Sequence, residues 1–165
     1  MDLPVNAIHI PGERNIAVEA LSQTVVEGDY EITAREQKEA EQAFEAVHIV
    51  DAFANRKNKR CVTWYGPGSP WCKDGLAADW GRDVVLLHPP IPLIVPCLKK
   101  ARAEKTRAII LLPAWKNQVW SQLFEEMETH RVVWKDAKKV LLPGEELRRT
   151  GASLPPCRYM AVRLN

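Results

Sequence analysis

Two apolar runs in this chain end abruptly in proline. Val84-Val85-Leu86-Leu87 runs into His88-Pro89-Pro90, and the stretch from Arg107 to Leu112 runs into Pro113. An apolar run without polar alternation predicts a strand covered on both faces, as in a parallel sheet. Proline ends each run because it removes a ladder donor and fixes the backbone. A chain with such strands must supply helices for both faces of its sheet.

Helices are predicted between the strands. Thr33 and Glu36 have capping-box spacing, so a helix should start there, with Ala34, Ala40, Ala43, Phe44 and Val47 along it and glutamates on its exposed face. A short strand, His48–Phe53, follows and carries the carboxylate of Asp51. Residues 55–60 form a basic loop. A second strand, Cys61–Trp64, leads into the turn cluster Gly66-Pro67-Gly68-Ser69-Pro70. One or two helical turns are expected at Asp74–Trp80. Another helix is expected at Leu93–Lys105, its start confined by Pro92 and Pro96, and an amphipathic one at Asn117–Thr129. In that last helix Val119, Trp120, Leu123, Phe124 and Met127 should face inward. Arg131–Trp134, Val140–Leu142 (strand or turn) and Cys157–Leu164 come late, with no obvious helix between them. This favours an antiparallel strand closing the sheet. The predicted class is α/β: a mostly parallel, Rossmann-like sheet with an antiparallel C-terminal strand and helices on both faces.

At 165 residues and 46% hydrophobic, the chain can build one full core. It contains no apolar run of membrane-spanning length. Its start lacks a signal-peptide pattern. The four cysteines are scattered without a CxxC pair, which argues against zinc and for reduced thiols. An intracellular location, nuclear or cytoplasmic, is expected. Charge is uneven: residues 1–48 carry three basic and ten acidic side chains, and residues 49–165 carry twenty and eleven. The basic part can attract a polyanion. Candidate phosphate contacts are Arg56, Lys57, Lys59 and Arg60 in the loop and Lys99 and Lys100 further on. Trp64, Trp71 and Trp115 lie near loops, where they could line a cleft; Trp80, Trp120 and Trp134 suit the core.

The order of these features resembles the DNA N6-adenine methyltransferase-like domain of phage enzymes and DIRS-type retrotransposons. That domain has a strand ending in Asp-x-Phe/Cys-Ala-Ser with an asparagine a few residues on, here Asp51-Ala52-Phe53-Ala54-Asn55-Arg56-Lys57-Asn58, in which Asn55 stands at the serine position. A Trp, a Gly-Pro-Gly stretch and an Asp-Trp pair follow, here Trp64, Gly66-Pro67-Gly68 and Asp79-Trp80. Its Asn-Pro-Pro-Tyr/Phe is His88-Pro89-Pro90-Ile91 in this chain, and its Leu/Val-Pro-x-Trp is Leu112-Pro113-Ala114-Trp115. The resemblance implies that Asp51, His88, Pro89, Pro90 and Ile91 hold the catalytic positions. It implies S-adenosylmethionine near Asp51, Phe53 and Asp79.

In the family, the asparagine and proline bind the adenine amino group and the aromatic stacks on the extruded base. His88 lacks the planar amide, and Ile91 lacks a π-face for a contact worth ~1–3 kcal/mol. No glycine follows Asp51 until Gly66. The expectation is therefore a catalytically degenerate domain without cofactor that binds nucleic acid or a protein partner. The alternative is an active, S-adenosylmethionine-dependent adenine methyltransferase with a variant motif.

Residues 8–22 carry a second resemblance, to the closing stretch of a retroelement ribonuclease H. His9, Pro11-Gly12, Asn15, Glu19 and Leu21-Ser22 match its pattern. Two-metal hydrolysis needs carboxylates that this fragment lacks. The division expected is residues 1–24 as that remnant and 25–165 as the methyltransferase-like domain.

Overall fold

The computed structural model describes residues 30–47, 49–151, 154 and 157–165. The ribonuclease H-like stretch lies outside the described residues, as does His48.

The chain forms an α/β fold. Strand β1 (Tyr30–Ile32) precedes helix α1 (Ala34–Ala43). Three parallel strands follow as β2 (Ile49–Asp51), β3 (Thr63–Trp64) and β4 (Val84–Leu87). A 3-10 turn at Ile91–Leu93 feeds α2 (Ile94–Glu104), then β5 (Ala108–Pro113). Helix α3 (Ser121–Glu125) leads to β6 (Glu128–Trp134). The last part contains α4 (Ala137–Val140), β7 (Leu141–Pro143), α5 (Glu145–Thr150) and β8 (Tyr159–Leu164).

The main sheet has the order β3-β2-β4-β5-β8-β6. Pairings among β3, β2, β4 and β5 are parallel. β8 runs antiparallel to both neighbours and lies between β5 and β6. β1 and β7 make a separate antiparallel pair.

The period-2 alternation of strands β4, β5 and β8 divides the core. On one face Val85, Leu87, Ile110, Leu112, Met160 and Val162 pack against Leu98 and Ala101 of α2, Phe124 of α3 and Trp120 just before it. On the other, Leu86, Ile109, Leu111, Tyr159 and Ala161 pack against Ala40, Phe44, Val140, Leu141 and Leu147. Apolar runs without alternation thus produce a sheet covered on both sides, as expected.

Several local expectations need correction. The Thr33–Glu36 capping box does not form. The Thr33 amide donates to the Val140 carbonyl at 2.8 Å, extending the β1–β7 ladder, so Glu36 has no orphan donor to reach. Glu36 instead accepts from Arg35 at 2.8 Å. Ala34, Ala43 and Val47 are exposed. The helix expected over Asn117–Thr129 shrinks to five residues. Asn117 takes a positive φ of 56°, which delays the start, and β6 claims Glu128 and Thr129. Val119 accordingly faces solvent, 81% exposed. Asp74–Trp80 is a turn closed by Asp74, whose Oδ1 accepts from the Leu76 amide at 2.9 Å. The late segment does contain helices, α4 and α5. Trp64 is buried in the core and does not line a cleft.

Candidate functional site

Parallel strands deliver their C-terminal ends to one edge, where open α/β sheets hold ligands. A cleft of about 1040 Å³ opens there. Asp51 from the end of β2, Phe53, His88 and Pro90 after β4, and Leu111 of β5 line it. Loop residues Arg56, Lys57, Arg60, Gly66, Lys73 and Gly75, together with Arg148 of α5, complete the wall.

Asp51 is buried, and its Oδ1 accepts from the Phe53 amide at 3.1 Å. Desolvation raises its pKa from 3.8 to about 6, against the smaller lowering effects of that hydrogen bond and of Arg60. His88 Nε2 lies 2.9 Å from the Tyr159 hydroxyl. The Tyr30 ring sits 5.7 Å from the His88 ring, and the Tyr159 ring 5.9 Å. Burial, then the positive charge of Arg60, lowers the His88 pKa to about 4. The imidazole is therefore neutral at pH 7. Arg60 extends into the cleft with its side chain 24% exposed and pairs loosely with Glu31 at 3.8 Å.

The basic loop owes its shape to two asparagines. Asn55 Oδ1 accepts from the Lys57 and Asn58 amides, and Asn58 Oδ1 accepts from the Asn55 amide at 2.7 Å. Such Asx closures fix a tight turn without regular structure. They leave Arg56 and Lys57 exposed. Two glycines hold the loop after β2 from the other side. A Cβ on Gly66 would sit 2.0 Å from the Ala54 carbonyl oxygen, and one on Gly75 would sit 1.8 Å from that of Ala52. Both positions exclude every other residue because of protein backbone.

The predicted site residues separate into two groups. Asp51, Phe53, His88 and Pro90 meet in the cleft, joined by Arg56, Lys57 and Arg60. Pro89 is buried beside them. Ile91 is only 8% exposed and packs in the core with Trp80 and Ile94. Asp79 is exposed in a turn outside the cleft lining, where its Oδ1 accepts from the Gly81 amide at 2.8 Å. Lys59 lies over Trp64, Lys100 lies over Trp80, and Lys99 is exposed on α2; none of the three lines the cleft.

Sequence reasoning missed Tyr30, Tyr159, Lys73 and Arg148. Arg148 carried a usable signal: Gly144 precedes Glu145-Glu146, and Arg148-Arg149 follow, the charge order of a short helix. Tyr30 and Tyr159 carried none, because only tertiary packing brings them to His88.

The residues present do not suit S-adenosylmethionine. Gly66 and Gly75 cradle backbone rather than ligand. The end of β3 reads Trp64-Tyr65-Gly66, with no carboxylate for a ribose.

Among the described residues, no three His, Cys, Asp or Glu side chains gather to hold a metal, and no helix is long and apolar enough to cross a membrane. No protein-family model, curated protein or solved structure matches this chain.

Proposed function

We propose that this chain is a retroelement-type, adenine-methyltransferase-like domain that has lost methyl transfer and serves as a nucleic-acid-binding module. One observation carries the reading. The two motif positions that would handle adenine are committed to the protein itself, His88 to Tyr159 and Ile91 to the core, while the cleft beside them stays open, lined by Arg56, Lys57, Arg60, Lys73 and Arg148 and by the carboxylates of Glu31, Asp51, Asp74 and Glu145. The antiparallel C-terminal strand between β5 and β6 suits such a sheet. The motif order along the chain favours the retroelement type.

The test has two parts. Calorimetry with S-adenosylmethionine and an adenine methylation assay should give neither saturable binding nor turnover. Fluorescently labelled DNA or RNA should bind with log K falling linearly in log salt. Turnover abolished by Asp51→Ala would overturn the loss of catalysis, and a flat salt dependence would overturn phosphate contact.

The placement of Asp51 at a strand end in an open cleft favours a second reading, an active enzyme with a variant motif. His88→Asn alone separates the two, since it should raise methyl transfer only in a pocket that is otherwise intact.

A further inference from the structure

An indole exposed on a hydrogen-bonded loop needs an explanation that burial does not supply. Trp71 is 64% exposed, whereas Trp64, Trp80 and Trp120 are buried. Its loop is not slack. Ser69 Oγ donates to the Trp64 carbonyl at 2.6 Å and accepts from the Trp71 amide at 3.1 Å. The Gly66 amide donates to the Cys72 carbonyl at 2.9 Å, closing the loop at its base. The ring is thus presented on a fixed turn, and a ligand that used it would lose little loop entropy on binding.

The surroundings of Trp71 specify the ligand's charge. From residue 55 to residue 73 the chain carries Arg56, Lys57, Lys59, Arg60 and Lys73 and no carboxylate; Asp74, which follows, accepts from the Leu76 amide at 2.9 Å. The two loops are neighbours, since a Cβ on Gly68 would lie 3.6 Å from Arg56 Cγ. Lys57 donates to Glu145 at 3.2 Å on the surface, with both side chains exposed, an arrangement of small energy. Among the described residues neither Arg56 nor Lys73 has an ion pair. Both line the cleft, and Pro67 and Lys73 place the Trp71 loop at its rim.

An exposed indole on a loop that borders unpaired cations fits a strand whose bases are unpaired. A duplex keeps its base faces inside the stack, so a protein ring can reach one only by extruding it. A single strand offers the faces directly, and stacking tolerates any sequence. We infer that the Trp71 loop and the basic loop together form a single-stranded nucleic-acid site, with Trp71 stacking on a base and Arg56 and Lys73 holding the adjoining phosphates. This rests on the nucleic-acid reading above and narrows it to unpaired strands.

Fluorescence anisotropy of fluorescein-labelled oligo-dT, titrated with the whole chain, tests it. The same oligonucleotide annealed to oligo-dA and a poly-glutamate competitor are run in parallel. The single strand should bind more tightly than the duplex, and poly-glutamate should compete poorly. Trp71→Ala should weaken binding roughly 5- to 150-fold, the equivalent of a ~1–3 kcal/mol stacking contact. Trp71→Phe should retain part of the affinity. Each of Arg56→Ala and Lys73→Ala should flatten the salt slope by about 0.7. Thermal unfolding at the parent temperature would certify that the variants are folded. If Trp71→Ala binds like the parent, or the duplex binds as well as the single strand, this inference falls while nucleic-acid binding stands. If poly-glutamate competes equally, the surface reads charge alone, as for an acidic protein partner, and the inference falls. If no nucleic acid binds, the underlying proposal falls as well.

Discussion

Asp51 and His88 share one cleft, and both are pushed toward their neutral forms, with opposite consequences for stability. The Asp51 pKa is raised from 3.8 to about 6, so its contribution to stability is complete below pH 3.8 and is lost as pH rises through 6. The His88 pKa is lowered from 6.5 to about 4, so its contribution is complete above pH 6.5 and is lost as pH falls through 4. Each shift corresponds to roughly 3 kcal/mol, and the two nearly cancel between pH 4 and 6. Urea unfolding of single variants should separate them. Relative to the parent, Asp51→Asn should gain stability from pH 4 to pH 7, and His88→Asn should gain it from pH 7 to pH 4. Parallel pH profiles would show that neither group is perturbed. Ile91 permits a second prediction. Ile91→Tyr, the change that would restore an aromatic to the motif, places a larger ring in a filled core and should cost roughly 1–3 kcal/mol in urea unfolding. The identity of both residues was legible in the sequence because a strand and two prolines located them. Their engagement with Tyr159 and the core was not, since those contacts join segments far apart in the chain.

At the scale of elements, the ends of β4 and β5 and the starts of α1 and α2 were legible, for different reasons. The apolar runs of β4 and β5 end within a residue of where proline stops them, because proline acts locally whatever surrounds it. Helix α1 begins where a capping box would place it, but for another reason. The Thr33 amide is held by the Val140 carbonyl, and Thr33 Oγ1 makes no cap hydrogen bond. Replacing a working N-cap threonine by alanine costs about 1 kcal/mol. Here Thr33→Ala should change the thermal midpoint little, and a loss of that full size would mean that the hydroxyl does cap the helix. Helix α3 shows the reverse failure. Its apolar spacing continues past Phe124, but Met127 is buried at the turn into β6, so one apolar pattern serves two elements. β1 and β7 are each three residues long and depend on one another, which no single window of sequence displays.

Across the whole molecule, the class was legible because unbroken apolar strands leave few alternatives to a sheet covered on both faces. The position of β8 was only half legible: its antiparallel direction was expected from an apparent lack of late helices, although α4 and α5 are present, and its place between β5 and β6 was not expected. That place makes it central to both cores. Removing Tyr159–Leu164 would strip β5 of one neighbour and β6 of the only strand it pairs with among the described residues. Such a chain should lose its cooperative unfolding transition by circular dichroism, and a retained sharp transition would show that the remaining strands close without it. The same arrangement bears on synthesis. Of the six strands, β8 leaves the ribosome last, so until it emerges β5 and β6 each present a bare line of amides and carbonyls that any other strand can join. Through that interval a nearly complete sheet carries edges open to wrong pairing, the condition in which folding intermediates aggregate.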